Sequence, residues 1–202
     1  MSHLIESIKI LDGTVYNIKY HQQRIDHSVK TLFGLDSGFS LKRFFEEIDL
    51  PVSGLHKCRI VYAREVISFS IAPYIYRNVT SLKLIESDEI AYDLKYEDRS
   101  ALETLLKEKD DCDDILIVKN GLIADTSFSN IVFHNGQEWI TPAAPLLKGT
   151  QRQYLLDQGL LKEAEIRIAD FRNLTKVVLI NSMNTLEDDR RIVRVKIDHP
   201  TK

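Results

Sequence analysis

This 202-residue chain has two cysteines, Cys58 and Cys112, and they form neither a C-x-x-C pair nor a dense scaffold. A fold stapled by disulfides is therefore excluded, and a reducing cytoplasm is the expected setting. No apolar run approaches the roughly 20 residues that span a bilayer, so no membrane partner is expected. The first ten residues have neither a charged leader nor a continuous apolar stretch, and no signal peptide is expected. The six histidines include no H-x-x-x-H pair and no His/Cys cluster at ligand spacing, which argues against a catalytic metal. Positive charge is not in excess: 27 Lys plus Arg against 30 Asp plus Glu give a net charge of −3. The one arginine doublet, Arg190-Arg191, is offset by Glu187, Asp188 and Asp189. A dedicated nucleic-acid binder would need a positive field that this chain lacks. There is no internal repeat and no low-complexity tract.

What is present is ordinary globular material, 44% hydrophobic and 28% charged, in a chain long enough to bury a real core. Leu4 to Ile10 alternates as a strand, turns at Asp12-Gly13 and returns through Val15 to Ile18. Tyr20 to Phe33 places Ile25, Val29, Leu32 and Phe33 at helical spacing, stopped by Gly34. Ser40 caps a second helix from Leu41 to Ile48, and Cys58 to Tyr62 with Val66 to Ala72 form another hairpin. This reads as a small α+β domain over residues 1–75. After a linker, residues 80–202 resume with a strand at Ser81 to Ile85 and a helix at Ser100 to Lys107. Ala164 to Ala169, Lys176 to Ile180 and Arg190 to Ile197 are further strands.

The segment from Ile115 to Arg152 concentrates the chemistry. Asn120-Gly121 and Asn135-Gly136 each supply the positive φ angles of a two-residue turn, which predicts a three-stranded meander. Asp125 then ends the middle strand, and Ser127 to Asn130 make the corner into the next. Beyond Pro142 and Pro145, Gly149, Thr150 and Gln151 open a helix whose free N–H groups attract anions, phosphate especially. A carboxylate at a strand end near a phosphate-competent helix start points to a phosphorylated cofactor. Three other positions have two readings each. Arg24, beside the apolar stripe of its helix, is a solvated arginine or a ligand residue. Lys95 points into a site or pairs with Glu97 or Asp98 at the surface. Ser182, Met183 and Asn184, at the end of a buried-type strand, are a second phosphate cradle or a turn capped by its own side chains.

Six fragments in order resemble the class IV, or fold type IV, pyridoxal-phosphate enzymes. They are Ile5-Glu6-Ser7-Ile8 with Asp12-Gly13; His21-x-x-Arg24-Ile25; Lys95 before a helix; Asp125 and Asn130 in ADTSFSN; Leu147 to Arg152; and Asn181 to Asn184. That family includes branched-chain and D-amino-acid aminotransferases and aminodeoxychorismate lyase. The resemblance implies an α+β, two-domain fold of the D-amino-acid aminotransferase type, with a larger, β-rich, pseudo-barrel C-terminal domain. It implies pyridoxal 5'-phosphate as cofactor, held by Lys95 through its aldehyde and by Asp125 at the ring nitrogen, with Asn130 beside it. Arg24, Gly149, Thr150, Gln151, Ser182, Met183 and Asn184 are implied at the phosphate. Lys95 would also carry the substrate's α-proton. Ser7, where the lyases resemble one another in having a hydroxyl, is a candidate relay or pocket residue, and Glu6 supports the strand. A small amino substrate and a homodimer are implied as partners. Conversion of 4-amino-4-deoxychorismate to 4-aminobenzoate and pyruvate is the first expectation. An aminotransferase for branched-chain or D-amino acids, and a non-catalytic dimeric member, are the alternatives.

Overall fold

The structure, a computed structural model, describes residues 2–187 and 194–196, the last three by their backbone alone. It divides into two compact units, residues 1–76 with 94–98 and residues 77–93 with 99–202.

The first unit is a four-stranded antiparallel sheet carrying two helices. Strands β1 (Leu4–Leu11), β2 (Thr14–Val15), β3 (Leu55–Tyr62) and β4 (Val66–Pro73) lie in the order β2-β1-β3-β4. Alternation sends Leu4, Ile8 and Ile10 of β1 and Cys58, Ile60 and Tyr62 of β3 to one face. There they pack against Ile25 and Val29 of α1 (Ile18–Phe33) and Leu41 and Phe45 of α2 (Leu41–Glu46). Each such large aliphatic side chain contributes about 1.5–3 kcal/mol by leaving water. Gly34 ends α1 in the left-handed region and returns its N–H to the Lys30 carbonyl. Two expectations are corrected here. The return strand stops at Val15, because Asn17 turns left-handed (φ 55°) and α1 already begins at Ile18. Helix α2 ends at Glu46 rather than Ile48, and its first N–H is capped by the Gln22 side chain at 2.7 Å, not by Ser40. Residues 94–98 rejoin this unit as a short addition to β1. Ile5 N–H donates to the Lys95 carbonyl, Glu97 N–H donates to His3 O, both at 2.9 Å, and Tyr96 sits opposite Leu4.

The second unit is an eight-stranded mixed sheet. Its strands are β5 (Ser81–Glu86), β6 (Asp114–Lys119), β7 (Leu122–Thr126), β8 (Asn130–His134), β9 (Trp139–Pro142), β10 (Lys162–Ala164), β11 (Lys176–Ile180) and β12 (Arg194–Lys196). The order is β10-β9-β8-β7-β6-β5-β12, with β11 also paired to β8. Helix α3 (Ser100–Leu106) carries the parallel crossover from β5 to β6, and α4 (Thr150–Asp157) follows β9. Leu82, Leu116, Val118, Ile131 and Phe133 make the main core. The expected three-stranded meander is four strands: the corner expected at Ser127 to Asn130 separates β7 from β8, and the chain beyond Asn135-Gly136 adds β9. Of the two Asn-Gly pairs, Asn120-Gly121 alone makes a two-residue turn, with φ angles of 51° and 73°. At Asn135-Gly136 the loop runs to Glu138, because the Asn135 carboxamide accepts from the Gln137 and Glu138 N–H groups and holds it open. The strand expected over Ala164 to Ala169 lies earlier, at Lys162–Ala164. Residues Ile168–Asn173 instead form a 3₁₀ turn, which the Asp170 carboxylate caps by accepting Arg167 N–H. Of the strand expected over Arg190 to Ile197, Arg194–Lys196 is seen, and the remainder lies outside the described residues.

Candidate active site

The predicted site residues fall into two groups, one in each unit. Ser7, Arg24 and Lys95 belong to the first, and the other eight to the second.

In the first unit, Glu6 occupies a core-facing position of β1 and is sealed from solvent. Less than one turn of α1 separates the two residues that reach it, and the His21-x-x-Arg24 spacing puts both side chains on that face. Arg24 Nε donates to Glu6 Oε1 at 2.8 Å and Arg24 Nη2 donates to Oε2 at 2.6 Å, a two-point fork. Burial alone would push the Glu6 carboxyl up, but the Arg24 charge, His21 and their hydrogen bonds outweigh it and hold it at about 2. Ionised, Glu6 can only accept, so the His21 nitrogen 2.6 Å from Oε2, Nδ1, carries the proton and donates. Burial, then the Arg24 and Lys95 charges, push His21 down against the pull of Glu6, and the ring is neutral. Its Nε2 has no partner among the described residues. Lys95 is half-buried between Leu94 and Tyr96, which both pack on the core. Glu97 is taken by Arg59 and His3, both at 3.1 Å. Ser7 lies opposite Arg59 on the other face of the sheet from Glu6.

In the second unit, Asp125 at the end of β7 is buried and ringed by N–H donors. Asn130 Nδ2 donates to its Oδ1 at 2.8 Å and Leu147 N–H to its Oδ2 at 3.0 Å, while Asn130 also donates to the Leu147 carbonyl at 2.8 Å. The three residues form a closed knot joining β7, β8 and the approach to α4. Burial nevertheless prevails over these bonds and the Arg152 charge, and the Asp125 carboxyl is pushed up to about 6. Asn130 thus acts through Asp125, and Gly149 leaves room for it: a Cβ there would stand 2.0 Å from Asn130 Oδ1. The corner is closed by Thr126 and Ser129, whose backbones bond each other at 3.0 Å, and Arg99 donates to the Ser127 carbonyl at 2.6 Å.

Thr150 opens α4 with its hydroxyl buried and without a partner among the described residues, and Gln151 is buried beside it. Arg152 is committed to the Pro142 carbonyl at 2.9 Å and Glu163 at 2.6 Å. At the end of β11, Asn181 Oδ1 accepts Met183 N–H (2.8 Å) and Asn184 N–H (3.1 Å), and its Nδ2 donates to Ser129 Oγ (2.8 Å). The turn is thus capped by its own asparagine. Ser182 is half-buried, and the buried Asn184 Oδ1 has no partner among the described residues.

Glu6, His21 and Leu147 stand in the fragments quoted from the sequence, Glu6 as a residue that supports its strand, but none of them was given a role in the site. A signal did exist for Glu6: it is the one charged residue among the core-facing positions 4, 6, 8 and 10. The described residues hold no group of three His, Cys, Asp or Glu side chains that could bind a metal ion. No described helix is long and apolar enough to cross a membrane.

The sequence pattern of the family described as amino-transferase class IV matches residues 3–192. A relative from Haemophilus influenzae, named an uncharacterized protein, is 36% identical over 189 residues, covering 92% of this chain and 100% of that one. A crystal structure from Haemophilus somnus, titled "putative 4-amino-4-deoxychorismate lyase", is 35% identical with a TM-score of 0.84, over 92% of this chain and 98% of that one. A Mycobacterium tuberculosis protein titled as a hypothetical aminotransferase in its PLP-bound form shares the fold. Its TM-score is 0.77 at 18% identity, over 97% of this chain and 81% of that one.

Proposed function

Because this chain belongs to the amino-transferase class IV family, we propose that it binds pyridoxal 5'-phosphate and cleaves 4-amino-4-deoxychorismate to 4-aminobenzoate and pyruvate. The observation that carries the cofactor reading is Asp125, a sealed carboxyl that neutral N–H donors leave at about 6. A protonated ring nitrogen is the partner that would bring it down and keep it ionised. The buried Thr150 hydroxyl, without a protein partner among the described residues, fits a ligand that brings an acceptor oxygen, while the buried Asn184 Oδ1, itself an acceptor, would need a donor. When bound, the cofactor supplies an electron sink for charge developing at the substrate's α-carbon.

The chain's own residues divide the remaining work. Lys95 would hold the aldehyde carbon and move the α-proton, its backbone fixed by the Ile5 N–H. Asp125, oriented by Asn130 and Leu147, would hold the ring nitrogen. Arg24, the α4 start at Gly149, Thr150 and Gln151, and the Ser182, Met183 and Asn184 turn would hold the phosphate. Ser7 is assigned to the substrate side. The lyase reading rests on the activity named for the 35%-identical Haemophilus somnus protein and on Ser7.

The test is a spectrum of the purified protein followed by an assay of 4-aminobenzoate release. A cofactor absorbance band that disappears in Lys95→Ala, with product release lost as well, is expected. Conversion of the band by amino donors alone, without 4-aminobenzoate, would replace the lyase with an aminotransferase. A band lost in Lys95→Ala with activity intact would leave a non-catalytic role for the cofactor.

A further inference from the structure

Burying a carboxylate in a strand position flanked by Leu4, Ile8 and Ile10 costs several kcal/mol unless it is paired, and apolar residues there are commonly as stable or more so. Stability alone therefore does not account for Glu6. We propose that Glu6 and His21 are positioning residues, which fix the guanidinium plane of Arg24 to receive a phosphate ester. The proposal rests on the pyridoxal-phosphate reading above.

The geometry is layered. Glu6 and His21 are fully sealed, whereas the Arg24 side chain is 11% exposed, so the trio leads from the core outward to one cation. Two bonds from Arg24 to the two oxygens of one carboxylate determine the orientation of a planar group, where a single bond would leave it free to swivel. His21 tightens the clamp from the other side by donating to the oxygen that Nη2 also uses. With Glu6 negative, Arg24 positive and His21 neutral, the trio carries no net charge. Arg24 would then recognise phosphate through directed N–H bonds rather than through excess charge, and orientation is what such recognition depends on. At metal sites, removing an outer partner that orients a ligating side chain typically weakens metal binding by about 10–100-fold, and the low end of that scale is expected for an oriented guanidinium.

The test compares dissociation constants for pyridoxal 5'-phosphate and for pyridoxal, which lacks the phosphate. Glu6→Gln should weaken pyridoxal 5'-phosphate by on the order of tenfold and leave pyridoxal unchanged. In an Arg24→Ala background it should add nothing further, and His21→Leu should act in the same direction with a smaller effect. An equal loss for both ligands, or a loss that adds to that of Arg24→Ala, would overturn the inference while sparing the cofactor reading. A wild-type protein that binds no pyridoxal 5'-phosphate would overturn both. If circular dichroism shows Glu6→Gln unfolded, Arg24→Lys serves instead, since it keeps the charge and breaks the fork. An unchanged preference for the phosphorylated ligand in that variant would also overturn the proposal.

Discussion

The two units each bury a carboxylate, and they treat it in opposite ways. Glu6 has a bonded cation and falls to about 2, while Asp125 has only N–H donors bonded to it and rises to about 6. Burial is complete in both cases, so the difference lies in the partners rather than in solvent. Glu6 is neutralised within the chain and holds its cation in one orientation, whereas Asp125 is surrounded by neutral donors and, on the cofactor reading, would take its counter-charge from a ligand. Helix α4 repeats the contrast on a smaller scale: Arg152 Nη2 is bonded to the Pro142 carbonyl and to Glu163, while Arg152 Nε and the Thr150 hydroxyl have no partner among the described residues.

The comparison breaks most severely if Glu6 loses its cation. Arg24→Ala leaves a buried carboxylate uncompensated and should destabilise the first unit by about 3–5 kcal/mol, read by hydrogen exchange along α1. The folded pKa of Glu6 lies below its ordinary 4.5, so its contribution is present above pH 4.5 and is lost as pH falls from there through about 2. The variant should lack that acid-side fall, being weaker at neutral pH and flatter below. An Arg24→Ala protein with wild-type exchange protection along α1 would mean that Glu6 is not paired as described.

Asp125 should respond with the opposite sign. Its folded pKa is raised from 3.8 to about 6, so the native state holds the extra proton in that window and stability falls as pH rises through it. Asp125→Asn should remove this slope and, above pH 6 and without cofactor, stabilise the second unit by up to roughly 3 kcal/mol. Trp139, the single tryptophan, lies in β9 of that unit, so urea unfolding followed by its fluorescence gives a local reading. The same variant should weaken pyridoxal 5'-phosphate binding. A gain in both stability and affinity would contradict the assignment of Asp125 to the ring nitrogen.

Much of this is legible in the sequence, for reasons that differ by element. Leu4 to Ile10, Tyr20 to Phe33 and Lys176 to Ile180 follow plain periodicities, and the folded segments lie within a few residues of those runs. Val15 to Ile18 and Ala164 to Ala169 misled because β-prone composition says nothing about a left-handed Asn17 or a carboxylate cap from Asp170. Five of the eight site residues in the second unit, Asp125, Asn130, Gly149, Thr150 and Gln151, lie within one local segment, which is why they group together in the sequence. The contact between Glu6 and Arg24 joins a strand to a helix 18 residues later, and no local pattern encodes it. Nor could sequence show that Asn130 serves Asp125, since that depends on the Leu147 backbone meeting both.

Gly149→Ala tests the knot itself at intermediate cost. Its Cβ would lie 2.0 Å from Asn130 Oδ1 and 3.2 Å from Cγ, so the carboxamide must move. A destabilisation of about 1–3 kcal/mol at Trp139 is expected. Because the Asn130 bond is one of the influences that lower Asp125, losing it should carry that pKa higher still and extend the alkaline loss of stability beyond pH 6. Wild-type stability with an unshifted pH profile would show that Asn130 does not hold the carboxylate.

The smallest effect discriminates most finely. Thr150→Val keeps the shape of a buried side chain whose hydroxyl has no partner among the described residues. Without cofactor nothing is lost, and a desolvated hydroxyl is relieved, so stability should stay level or rise by about 1 kcal/mol or less. If that hydroxyl serves a phosphate, the substitution should weaken pyridoxal 5'-phosphate by roughly tenfold or more and leave pyridoxal untouched, since one hydrogen bond to a charged group contributes about 1.5–3 kcal/mol net of exchange with water. A change in stability without a change in phosphate preference would make Thr150 part of the packing, as Arg152 is. The contrast between charges settled by the chain and groups kept for a ligand would then narrow to Asp125 alone.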